Sequence, residues 1–163
     1  MFRSAILLAA LAVAACGPAT KEDPPATGAN AVTPHNPFFG SWEISAARIA
    51  PWWDGQSEEP AADPAFTKIT LSANASSGPP VLTCDKPHYT TDIKPLRGLF
   101  EGLLPEPVQD AAALGLSDPS PTVLTFTCES GTSDVEAQFV MVNDSAILLG
   151  MDNVIYTYTR TGP

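Results

Sequence analysis

From Phe38 onward, apolar residues recur at every second position in short runs, and that period builds strands. In residues 66–73, Ile69, Leu71 and Ala73 point one way while Lys68, Thr70 and Ser72 point the other. Residues 122–128 set Leu124, Phe126 and Cys128 against Thr125 and Thr127, and residues 135–142 set Val135, Ala137, Phe139 and Met141 on one face. Asn143-Asp144 and Asp152-Asn153 are tight-turn dipeptides leading into residues 146–150 and 154–161, the latter β-branched and tyrosine-rich. With residues 42–49, 81–84 and 88–93 as further candidates, the expectation is an all-β, mainly antiparallel fold of about eight strands. Two stretches break the period. Residues 52–64 form a polar, proline-punctuated loop, and residues 94–119 carry a short helical insertion. In that insertion residues 107–116 open on a proline and close near Gly115, and Leu96, Leu99, Phe100, Leu103 and Leu104 fall at helical spacing. Eight antiparallel strands with one insertion fit an up-and-down barrel, which removes the exposed edges of an open sheet.

The N-terminus is of a different kind. One cation, Arg3, precedes an unbroken apolar run over residues 5–15, a secretory signal too short to span a bilayer stably. The run ends in Val13-Ala14-Ala15-Cys16-Gly17, which resembles the bacterial lipobox. That resemblance implies a diacylglycerol on the Cys16 thiol, cleavage before it and anchorage by acyl chains, each buried methylene contributing about 0.8 kcal/mol. Gly17 is not the aspartate that retains many lipoproteins at the inner membrane, so the resemblance implies the outer membrane, with the protein facing the periplasm. Residues 16–37 hold five prolines and almost nothing to bury, the composition of a disordered tether. The expected organisation is a signal at 1–15, a lipidated tether at 16–37 and one barrel domain at 38–163.

Charge and cysteine content narrow the chemistry. Without residues 1–15, seven cations face eighteen acids, a net charge near −11. Nucleic acid and anionic lipid surfaces are poor partners for such a chain, whereas a cationic protein partner is permitted. With Cys16 committed to lipid, Cys84 and Cys128 remain as an even pair in an oxidising compartment, and a disulfide is expected. The competing metal reading of Cys84, Asp85 and His88 lacks a close fourth ligand, since the other histidine, His35, lies in the tether. No metal and no cofactor are expected.

Gly40-Ser41-Trp42 at the start of the first strand, with Arg160 on the last, resembles the lipocalin superfamily and related calycin-type barrels. In those families an arginine stacks over the tryptophan of Gly-x-Trp at the closed end of the barrel, so the resemblance implies a Trp42–Arg160 pair. The helical stretch lies mid-chain here and near the C-terminus in lipocalins. Small periplasmic inhibitors of proteases or lysozyme, also eight-stranded barrels with one disulfide, fit the length equally.

Chemistry is sparsely signalled. His88 is the one histidine beyond the tether, no Gly-x-Ser-x-Gly elbow is present, and Glu58-Glu59 sit in a solvated loop, so an enzyme is not expected. Trp52 and Trp53, following Pro51 at the exit of the first strand, are candidate binding residues at a barrel rim. The expected function is non-enzymatic binding of a small apolar ligand, and the alternative is inhibition of, or interaction with, an envelope protease or lysozyme.

Overall fold

The computed structural model describes residues 36–56, 58–128 and 135–162, all within the compact unit Pro34–Pro163. The expected signal segment, Cys16 and the expected tether up to residue 35 lie outside the described residues. Eight strands, β1 (Gly40–Ile49), β2 (Lys68–Ser72), β3 (Ala75–Ser77), β4 (Pro87–Ile93), β5 (Thr122–Cys128), β6 (Val135–Asn143), β7 (Ala146–Met151) and β8 (Val154–Arg160), form one sheet. Its order is β3-β2-β1-β8-β7-β6-β5-β4 and every pairing is antiparallel. Except for β3 and β4, each strand lies beside its neighbour in sequence, and β1 pairs with β8. The result is an up-and-down, nearly closed eight-stranded barrel whose seam falls between β3 and β4.

The seam is closed by side chains and one short bridge rather than by a full ladder. Ser76 on β3 and Cys84 exchange two backbone hydrogen bonds of 2.8 and 3.0 Å. Cys84 is in turn disulfide-bonded to Cys128 at the end of β5, with Cα atoms 6.0 Å apart. Both half-cystines are buried in the barrel interior. Closing a loop of 44 residues contributes about 4 kcal/mol in the chain-entropy account. Tyr89 on β4 leans across the same seam, its ring edge-on to Phe39 at 5.3 Å between centroids. Its hydroxyl faces Ser76 and the Ser72 backbone without a well-formed hydrogen bond, and burial holds its pKa above the ordinary tyrosine value.

Two apolar cores flank the β5–β8 half of the sheet. Inside the barrel, Phe38, Trp42, Phe126, Phe139, Tyr156 and Tyr158 are each no more than 2 % exposed, and with Ile69, Leu71, Ile147 and Leu149 they fill the interior. Outside it, Val123, Val140, Leu148 and Ile155 are capped by Leu99, Phe100, Leu104, Ala111, Leu114 and Leu116 from the insertion. Strands buried on both faces read as nearly continuous apolar runs, which is why Ile147-Leu148-Leu149 and Val154-Ile155-Tyr156 lack clean alternation. The helix α1 (Pro107–Ala113) starts on proline and ends in a Schellman turn. There Gly115, at φ +83°, donates to Ala112, and Leu116 donates to Ala111. Arg48 from β1 donates to the Ala113 carbonyl at 2.7 Å, fastening the helix end to the sheet.

Two expectations need correction. Residues 81–84 are not a strand: Pro79-Pro80 seed a 3-10 turn, Pro80–Leu82, and only Cys84 forms a bridge. The third strand is Ala75–Ser77 instead. The apolar row from Leu96 to Leu104 is not α-helical either. It is a 3-10 segment, Leu96–Gly102, interrupted at Leu99 and with Phe100 and Glu101 at φ +48° and +59°. Ahead of β1, Asn36 accepts hydrogen bonds from the amides of Phe38 and Phe39, and Pro37 accepts one from Arg160.

Candidate functional site

Trp52 is presented by a tight turn at the end of β1. The Trp53 amide donates to the Ala50 carbonyl at 3.1 Å, and the Ala50 amide donates to Asn153 at 2.8 Å, pinning that turn to the β7–β8 hairpin. Asp152 and Asn153 in the hairpin both have positive φ, +48° and +64°, the signature of the tight two-residue turn their identities suggest. Trp52 therefore lies over the outer face of β7. Phe100 reaches the same face from the insertion, its ring centroid 5.5 Å from that of Trp52.

Beneath both rings is Gly150. A Cβ there would stand 2.9 Å from Phe100 Cδ1 and 3.2 Å from Trp52 Cη2, so only glycine lets the aromatics rest on the sheet. Phe100 achieves this from a left-handed backbone conformation, uncommon and costly for a bulky residue. The rings, with Leu103 and Met151, wall a cleft of about 400 Å³. That volume is in the range of small-molecule sites.

The cleft is amphipathic. Glu101, Glu136, Asp152 and Asn153 line its exposed margin, and Gln138 on β6 lies within it. Gln138 is 9 % exposed, and its Oε1 is buried with no hydrogen-bond partner. A second depression, lined by Trp53, Asp54 and Gln56, adjoins the cleft through the shared Trp52 and Asn153. Both tryptophans singled out in the sequence thus line one contiguous surface, at the end of the barrel carrying the β7–β8 turn.

The opposite end is built around Arg160. Its guanidinium carbon lies 4.1 Å from the Trp42 ring centroid, and the two residues are cross-strand partners between β1 and β8. It donates to the carbonyls of Phe39 (2.8 Å), Asp144 (3.1 Å) and Pro37, binding the incoming chain and the β6–β7 turn to one side chain. Trp42 Nε1 donates to Phe38 at 2.9 Å. A Cβ on Gly40 would fall 2.5 Å from Arg160 Nη1. Gly40, Trp42 and Arg160 are therefore one structural unit. His88 is exposed on β4, and Glu58 and Glu59 are exposed in the loop after β1.

Sequence reasoning placed Trp52 and Trp53 at a rim but missed Phe100, Gln138, Gly150 and Met151. A glycine inside an otherwise apolar strand, Ile147-Leu148-Leu149-Gly150-Met151, was the available signal, since such a position marks a close approach by another group. No protein-family model matches this chain, and no curated protein or solved structure is significantly similar to it.

Proposed function

We propose that this protein is a lipid-anchored barrel of the bacterial outer membrane, facing the periplasm, that binds a small apolar molecule without transforming it. The observation that carries the binding reading is the Trp52–Phe100 cleft over Gly150, an aromatic-walled depression held open by a left-handed backbone at Phe100. Lipocalin-like carriage inside the barrel finds no support, because large side chains occupy the interior. The ligand site belongs on the outer face instead. Anchorage rests on the lipobox-like sequence at Cys16, and no helix among the described residues is long and apolar enough to cross a membrane. Asn36, where the described domain begins, is at the Arg160 end, so the cleft sits at the end away from it.

The test is fluorescence of the neutral apolar dye 1-N-phenylnaphthylamine with the full chain carrying Cys16→Ser. Saturable enhancement, weakened at least about tenfold by Trp52→Ala, is expected if one aromatic wall dominates binding. Absence of saturable enhancement, or enhancement indifferent to Trp52→Ala, contradicts the reading.

A second reading, interaction with a cationic envelope hydrolase such as a lysozyme or protease, is favoured by exposed Asp54 beside Trp53 and by exposed Glu58 and Glu59 in the same loop. It predicts salt-sensitive capture of basic hydrolases, which steering by an acidic surface produces.

A further inference from the structure

We infer that the ligand of the Trp52–Phe100 cleft is an organic ammonium: an apolar body carrying a protonated primary or secondary amine. The inference rests on the proposal that the cleft is a ligand site, and it names the chemistry of what binds there. Three independent features converge. The first is charge: among the described residues, every ionisable one lining the cleft, Glu101, Glu136 and Asp152, is acidic, and no lysine or arginine lines it. The adjoining depression adds Asp54 and, among the described residues, again no cation. These carboxylates stand around the margin without converging, since no three acidic, histidine or cysteine groups among the described residues could hold a metal ion. A dispersed negative rim suits a bulky organic cation and not a compact metal ion, which needs several oxygens at short range.

The second feature is the aromatic wall. Trp52 and Phe100 both line the cleft, their ring centroids 5.5 Å apart and the rings tilted at 41°. The face of an indole attracts a cation, and a partly desolvated site strengthens that attraction. The third is Gln138 Oε1, a buried acceptor with no donor. An acceptor left unpaired away from water carries a desolvation cost, and such groups in native structures are usually met by a ligand or an ordered water. As the side chain stands Oε1 has no accessible surface, so a rotation of the Gln138 amide must bring it to the cleft for an ammonium N–H to supply that donor, which a quaternary ammonium or a carboxylate does not. An uncharged apolar molecule would satisfy the walls and leave both the rim and Gln138 unused.

The experiment is competition against bound 1-N-phenylnaphthylamine on the full chain with Cys16→Ser, using three probes that share one alkyl chain: decylamine, decanol and decanoate, all below micelle formation. Decylamine is expected to displace the dye at roughly tenfold lower concentration than decanol, as one cation–aromatic contact and one charge-assisted hydrogen bond would give. Decanoate is expected to be weakest. The margin over decanol should shrink at high salt, as rim carboxylates are screened. It should shrink too in Gln138→Leu, which keeps the volume and removes the acceptor, and in Glu101→Gln with Asp152→Asn. Equal displacement by decylamine and decanol, or stronger displacement by decanoate, overturns the ammonium inference while leaving the cleft reading intact. Failure of the dye to bind in a Trp52-dependent way overturns both.

Discussion

The Phe100 ring occupies the space that a side chain at position 150 would fill, with Cδ1 only 2.9 Å from where a Cβ of Gly150 would stand. The insertion and the sheet are therefore matched at one point, and the cleft depends on that match. Gly150→Ala should push Phe100 and Trp52 off β7 and destabilise the protein by about 1–3 kcal/mol, the usual cost of overpacking. In a Phe100→Ala background the same change should cost much less, because the obstructing ring is gone. Urea denaturation of the four chains in a double-mutant cycle reads the coupling, and additive effects would show that ring and glycine do not oppose each other.

Arg160 anchors the other end of the barrel through its place over Trp42 and its bonds to three carbonyls. Lysine keeps the charge but has no planar fork to serve several acceptors at once. Arg160→Lys should lower stability by roughly 1–3 kcal/mol without changing dye binding at the distant cleft. Thermal denaturation alongside a dye titration checks both halves, and a loss of binding equal to that of Trp52→Ala would contradict the separation of the two ends.

How much of this could be read from the chain follows from how each residue is buried. β2 and β5 were legible because apolar and polar residues alternate there, Ile69 and Leu71 against Lys68 and Thr70 for example. β3 was not, since Ala75-Ser76-Ser77 offers one small buried residue and is held by its backbone bonds to β2 and Cys84. The row of leucines before α1 carries a helical spacing that the backbone does not follow. Its residues are buried against the outer sheet face, and that burial, not a helix, accounts for their apolarity. Trp52 stood out as an aromatic beside an acidic loop. Gln138 carried no signal, because a polar residue between Ala137 and Phe139 reads as the solvent face of β6 until the insertion covers it.

The disulfide closes the seam where the sheet lacks a β3–β4 ladder. Replacing both partners, Cys84→Ser with Cys128→Ser, should cost about 4 kcal/mol if loop closure in the unfolded chain is the dominant effect. The loss should be local before it is global. Hydrogen exchange should accelerate first at the Ser76 and Cys84 amides, which bond each other's carbonyls, while β7 and β8 stay protected. Uniform acceleration across the sheet would refute a seam that opens on its own.

Burial raises the pKa of both Tyr89 and Tyr158; for Tyr158, which donates to the Phe66 carbonyl at 2.9 Å, proximity to Tyr156 adds to the effect. Raised values in the folded state mean that the fold favours the protonated phenols. Their contribution is fully present below the ordinary tyrosine value of 10.0 and is lost as pH climbs through the folded values. Stability should therefore fall above about pH 10. Absorbance titration should show Tyr89 and Tyr158 ionising later in the folded protein than in urea. Identical folded and denatured titration curves would contradict their burial.

The central claim is that a ligand sits outside the barrel, over Gly150, and not within it. Amide and indole chemical shifts recorded while 1-N-phenylnaphthylamine is titrated into the protein test this most directly. The account predicts shifts at the Trp52 indole and at the Gly150 and Met151 amides, with the Trp42 indole, bonded to Phe38 in the filled interior, left unmoved. Shifts concentrated at Trp42 and Phe139, with Gly150 silent, would place the ligand inside the barrel and contradict it.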